Sequence, residues 1–99
     1  MWDRELPAVL IRHTVDDMDA WLLKYNGVDE LRLTMGIIGH ALHRSEADPL
    51  LALTYHQAES FDTLREFVGD FSLRAVMKSA GVTSEPEHRF SIGGWGARY

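Results

Sequence analysis

Four short runs of aliphatic and β-branched residues alternate with apolar stripes at helical spacing over 99 residues. Their order, β-α-β-β-α-α-β, predicts an α+β, ferredoxin-like domain: a four-stranded antiparallel sheet with helices on one face. The strands are moreover apolar on both faces, which predicts that the bare side of the sheet packs on a second copy of the chain. The length gives one domain, residues 1–99. A chain of this size buries roughly 60–65% of the surface it exposes when unfolded, so the core of a lone copy is thin.

Residues 8–13 (Ala-Val-Leu-Ile-Arg-His) read as the first strand. Thr14 with Asp17, or Asp16 with Asp19, has the form of a capping pair at a helix start. Met18, Trp21, Leu22 and Tyr25 then make one apolar stripe. Asn26-Gly27 interrupts it, at a cost of about 1 kcal/mol for a mid-helix glycine. Val28, Leu31 and Met35 resume the spacing, so one bent helix or two short ones are expected before Gly36. Residues 37–44 form the second strand, 45–49 a polar turn and 50–57 the third strand. Ser60 caps a helix with Phe61, Leu64, Phe67 and Val68 on one face. Gly69-Asp70 breaks it, and Leu73, Val76, Met77 and Ala80 form another stripe closed by Gly81. Phe61, Phe67 and Phe71 read as core at this spacing. After Pro86, residues 87–92 form the last strand.

The two-sided strands carry the expectation of a homodimer. Val9 and Ile11 point one way and Ala8 and Leu10 the other; Leu51, Leu53 and Tyr55 oppose Leu50 and Ala52. Helices cover one face only, and a second copy is the simplest cover for the other. The terminal segments are the alternative cover.

Composition narrows the chemistry. Without cysteine there is no disulfide scaffold, thiolate zinc site, iron–sulfur cluster or cysteine nucleophile. A net charge of −5 argues against a nucleic-acid binder, and no apolar run approaches the ~18 residues of a membrane span. The first residues, MWDRELP, carry charges where a signal peptide has an apolar stretch. The chain reads as a small cytoplasmic domain with no nucleic-acid or membrane partner.

The segments Val15-Asp16-Asp17-Met18-Asp19-Ala20-Trp21, Arg32, Gly36-Ile37, Asp48-Pro49, Met77-Lys78-Ser79-Ala80-Gly81-Val82 and Pro86 together resemble the dimeric α/β-barrel superfamily, near the antibiotic biosynthesis monooxygenase-like domains. The resemblance covers residues 8–92 and implies a ferredoxin-like monomer, a sheet-to-sheet dimer and a ligand cavity between sheet and helices. Members include cofactor-free monooxygenases of polyketide pathways, polyketide cyclases and haem-degrading enzymes. Those enzymes lean on an asparagine, a tryptophan and a histidine or arginine in particular places. Here the single asparagine, Asn26, falls at the helix interruption and Trp21 on the first helix, so no catalytic residue is carried over.

Five histidines are the most suggestive chemistry. With the hairpin centred near Ala47, Leu42 faces Ala52, His40 faces Thr54 and Ile38 faces His56. His40 and His56 then project as diagonal neighbours on one face. Such a pair can run acid–base chemistry on a phenol or enol. The plainer reading is histidines at the surface or the dimer interface with satisfied hydrogen bonds. No HxH or HExxH spacing supports a metal. Tyr55 is a candidate donor to a substrate carbonyl or a residue spanning the dimer. Trp21 and Tyr25, one turn apart, are core residues or the aromatic wall of a cavity, and His13 is placed with them as ligand-binding. Arg12 reads as an edge position facing solvent. Asp16, Asp17, Asp19, Asp29 and Glu30 read as helix caps and a solvated face. The Gly93–Tyr99 segment folds over the cavity, reaches a partner or frays.

The expected activity is a monooxygenase-like or cyclase-like enzyme without a tightly bound cofactor, acting on an aromatic or polyketide-like molecule. His40, His56 and Tyr55 are its catalytic candidates. A non-catalytic small-molecule-binding or interaction domain of the same fold is the alternative, and haem binding a weaker one.

Overall fold

A computed structural model describes residues 6–92. The expected readings of Gly93–Tyr99 lie outside the described residues. Eight elements follow in the order β1 (Pro7–Thr14), α1 (Met18–Gly27), α2 (Asp29–Thr34), β2 (Ile37–Arg44), β3 (Leu51–Ala58), α3 (Phe61–Gly69), α4 (Phe71–Ser79) and β4 (Glu87–Ile92). The sheet is antiparallel throughout, in the order β2-β3-β1-β4. It is the ferredoxin-like α+β arrangement that the element order implies.

Local chemistry explains the boundaries. Asp17, not Thr14 or Asp16, is the cap of α1, accepting from the Ala20 amide at 3.1 Å. The Asn26-Gly27 interruption ends that helix, and α2 restarts one residue later, so the two-helix alternative holds. Ser60 caps α3 and Asp70 caps α4 in the same manner. Gly81 follows α4 with φ +95°, a left-handed conformation that costs glycine little. The Asp16 carboxylate occupies the place a Gly81 side chain would take, and the Asp16 amide donates to the Gly81 carbonyl at 2.9 Å. The end of α4 is thereby tied to the start of α1, beside the Val15–Val82 bridge.

The core lies between the sheet and the helices in two clusters. One gathers Val9, Ile37, Ala58, Leu64, Phe67 and Leu73; the other gathers Val15, Trp21, Tyr25, Ala52 and Ala80. Strand alternation puts Val9, Ile11, His13, Thr54 and His56 on the helix side. Leu10, Arg12, Leu53 and Tyr55 fall on the open side. There Leu10 is 45% exposed and Leu53 38%.

Three expectations are corrected. The β2–β3 register is centred on Asp48, not Ala47, so His40 faces His56 directly and Leu42 faces Thr54. The turn is the cause. Asp48 accepts from the Leu50 amide and Ser45 from the Asp48 amide, while the Ser45 amide bonds to the Leu51 carbonyl. The two-residue shift leaves every side chain on its expected face. Phe71 is not core but 86% exposed, because the break at Asp70 starts a new helix and the stripe through Phe67 does not continue. Arg12 is exposed but not on an edge: β1 lies between β3 and β4, and Arg12 points from the open face.

Candidate active site

A cavity of about 450 Å³ opens between the helix side of the sheet and α1, α3, α4 and the loop into β4. Its floor comes from β1 and β3, where alternation presents His13, Thr54 and His56 inward. Its wall is the aromatic stripe of α1. The Trp21 and Tyr25 rings lie 5.0 Å apart, and the His13 ring meets Trp21 edge-on at 5.2 Å. Phe67 of α3 packs on His56 at 4.9 Å.

Arg32 reaches this site from α2. It is only 2% exposed, and its Nε donates to His56 Nε2 at 3.1 Å. Arginine has no acceptor atom, so His56 Nε2 must be unprotonated and the ring proton sits on Nδ1. Burial, then the Arg32 and His40 charges, push His56 down to about 3. It is therefore a neutral N–H donor at ordinary pH. The Arg32 guanidinium also lies over the Tyr25 ring, 3.8 Å from its centre.

A second chain of bonds runs from the same tyrosine outward. The Tyr25 hydroxyl and His40 Nδ1 are 2.8 Å apart, and His40 Nε2 lies 3.2 Å from Asp29 Oδ1. A carboxylate only accepts, so His40 donates from Nε2; with the ring uncharged, Nδ1 then accepts from the Tyr25 hydroxyl. Burial raises the Tyr25 phenol above its ordinary range, the Arg32 cation opposes this, and Asp29 adds to the rise. The relay ends in water, because the Asp29 side chain is 57% exposed. His40 also stacks on His56, with centres 5.8 Å apart and planes 18° from parallel.

Among the described residues, four buried nitrogens of the cavity lining have no hydrogen-bond partner: His13 Nδ1, Trp21 Nε1, Arg32 Nη1 and His56 Nδ1. An unmet buried donor costs on the order of 1–3 kcal/mol. An acceptor-rich occupant of the cavity would relieve it. Burial, with His88 nearby, lowers His13. No group of three or more histidine or acidic side chains suited to a metal occurs among the described residues.

The structure thus brings together His13, Trp21, Tyr25, His40 and His56. Tyr55 precedes His56 on β3, so it projects from the opposite face, and it borders a shallow groove with Gly39, His40, Ala41, His43 and Gln57. It is not part of the cavity lining that holds His13 and His56. Sequence reasoning passed over Arg32 and Asp29 as site residues. Arg32 lies seven residues after Tyr25, so the inward stripe of Trp21 and Tyr25 leads to it, and Asp29 is three before it. A charged residue on that line was the available signal.

No protein-family model matches the chain, and no curated protein matches it in sequence. Solved structures do. ActVA-Orf6 of Streptomyces coelicolor, a monooxygenase in complex with nanaomycin D, has a TM-score of 0.68 and 17% identity over 95% of this chain and 92% of its own. SnoaB of Streptomyces nogalater, a cofactor-independent oxygenase, has a TM-score of 0.69 and 15% identity over 97% and 95%. NE2512 of Nitrosomonas europaea, of unknown function, has a TM-score of 0.74 and 10% identity over 99% and 98%. The fold is that of the antibiotic biosynthesis monooxygenase-like structures. At these identities the likeness is one of fold.

Proposed function

We propose that this protein is a cofactor-independent enzyme that withdraws a proton from a planar aromatic, polyketide-like molecule and so prepares it for oxygenation or ring closure. The observation that carries the reading is the Tyr25–His40–Asp29 chain of contacts, which leads outward from Tyr25 in the wall of a cavity lined by unmet donors. The likeness to ActVA-Orf6 and SnoaB supports the substrate class.

In this reading the substrate stacks on Trp21 and Tyr25, and its carbonyl oxygens accept from His56 Nδ1 and Trp21 Nε1. As the Tyr25 oxygen takes a substrate proton, its own passes to His40 Nδ1, and Asp29 balances the imidazolium. An anthrone illustrates the balance: its methylene and one O₂ give a quinone carbonyl and one water, with no external reductant. The test is oxygen uptake and quinone absorbance on an anthrone, compared between wild type and His40→Ala. Equal rates would sink the proposal. One observation favours the alternative of a non-catalytic binding domain. His56 is held neutral, which leaves it a donor and takes it out of proton transfer.

The working unit in this reading is a homodimer. Leu10 and Leu53 lie half-exposed on the open face, with Arg12, Arg89 and Glu87 around them by register. A two-fold partner seats the leucines against each other and lets those unlike charges pair across the seam.

A further inference from the structure

We propose that the cavity takes its ligand as an anion: a planar aromatic molecule with one deprotonated oxygen, whose charge Arg32 neutralises. The inference rests on reading the cavity as the ligand site and adds the ionisation state of what enters it.

Arg32 is a buried cation whose ion-pair partner among the described residues is the exposed Asp29 carboxylate. Its Nε is committed to His56, which is neutral. Its Nη1 has no hydrogen-bond partner among the described residues. Asp29 forms an ion pair with Arg32 at 3.6 Å from Nη1, longer than a full hydrogen bond, and that carboxylate is exposed and shared with His40. A buried guanidinium is stable when a close counter-charge satisfies it, and otherwise carries a large desolvation cost. The side chain lines the cavity, so a ligand oxyanion there completes the pair.

The rest of the lining agrees in sign. Arg74 and Lys78 of α4 also border the cavity, and among the described residues Glu85 is the one carboxylate of the lining against these three cations. His13 and His88, both lowered by burial, add little positive charge near neutral pH. The chain as a whole has a net charge of −5. A cationic cavity in an acidic protein draws an anion to that place rather than to the surface at large. The neutral donors Trp21 Nε1 and His56 Nδ1 suit the same acceptor-rich ligand.

The experiment is calorimetric titration of the full chain with 2-naphthoate and with 2-naphthamide, its neutral counterpart of the same shape. The expected result is naphthoate tighter by about tenfold or more, with an affinity that weakens as salt rises. Arg32→Met should erase the preference, with circular dichroism confirming the fold. If that variant does not fold, Arg74→Gln with Lys78→Gln, both at exposed positions, should weaken the salt dependence of naphthoate binding. A 4-nitrophenolate arm in alkaline buffer identifies the oxyanion: binding by both anions means that one oxygen suffices, and binding by naphthoate alone means a carboxylate. Equal affinity for naphthoate and naphthamide, or binding of none of the three probes, overturns the inference. Turnover of a neutral anthrone would not rescue it. Selective anion binding without turnover sustains it while removing the catalytic reading.

Discussion

Arg32 Nε donates to His56 Nε2 across 3.1 Å, so a helix residue decides which nitrogen of a strand histidine keeps its proton. The bond makes His56 a fixed donor, and it ties the stability of the fold to pH. Folded His56 stays neutral down to about 3, whereas in the unfolded chain it takes a proton near its ordinary 6.5. Its contribution is therefore complete above that ordinary value. It is lost as pH falls from there toward the folded value, because the unfolded state then binds the extra proton. The slope reaches up to about 1.4 kcal/mol per pH unit. His13 and His88 are lowered too and act in the same sense. Urea denaturation across this range should show a shallower slope for His56→Gln, by about one proton.

Breaking the bond from the other side gives a spectroscopic readout. In Arg32→Met, His56 loses a neighbouring cation and a donor that requires it to stay unprotonated. Its NMR titration should move up toward the ordinary histidine value. Stability should change little, since the Asp29 partner left behind is exposed and an apolar chain of similar length fills the same space. Arg32→Ala should cost more, about 2 kcal/mol or above, because it leaves a void under Tyr25.

Tyr25→Phe keeps the ring against Trp21 and Arg32 and removes only the hydroxyl bonded to His40. On an accepted anthrone, kcat should fall by about 10²–10⁴, while thermal stability drops by only about 1 kcal/mol. Unchanged kcat in oxygen-uptake assays would take the relay out of the mechanism.

The open face is tested by mass. Leu53→Glu places a charge at the middle of the proposed seam. Light scattering should read twice the 11.3 kDa chain mass for wild type and a single chain for the variant. Wild type at one chain mass refutes the dimer.

Two glycine substitutions should differ in size. Gly81→Ala meets the Asp16 carboxylate in a left-handed backbone and should cost about 2 kcal/mol or more. Gly27 closes α1 with open space where its side chain would lie, so Gly27→Ala should be neutral or stabilise by up to about 1 kcal/mol. Paired melting curves decide.

Strand and helix positions were legible because periodicity encodes facing: Val9 and Ile11 face the helices, and Leu10 turns away. The pairing of His40 with His56 was not, since register depends on turn hydrogen bonds at Ser45 and Asp48, which hydrophobicity does not report. Tyr55 could have been set apart from the residues alone, because neighbours on a strand cannot share a face. Arg32 was hidden for the opposite reason. A charge on an apolar stripe looks like an interruption until the fold shows His56 waiting across the core for its proton donor.

The Ser45–Leu51 turn touches neither the cavity nor the relay, yet it sets the rung on which His40 meets His56. Two residues added or removed there would slide β2 along β3 by about 6.8 Å and keep every side chain on its own face. Ile37 would leave the core cluster it shares with Val9 and Leu64, and His40 would leave both Tyr25 and His56. The turn in this way sets whether His40 meets Tyr25 and His56: a two-residue slip keeps each side chain on its face and loses that meeting, while a slip of one turns the strand inside out.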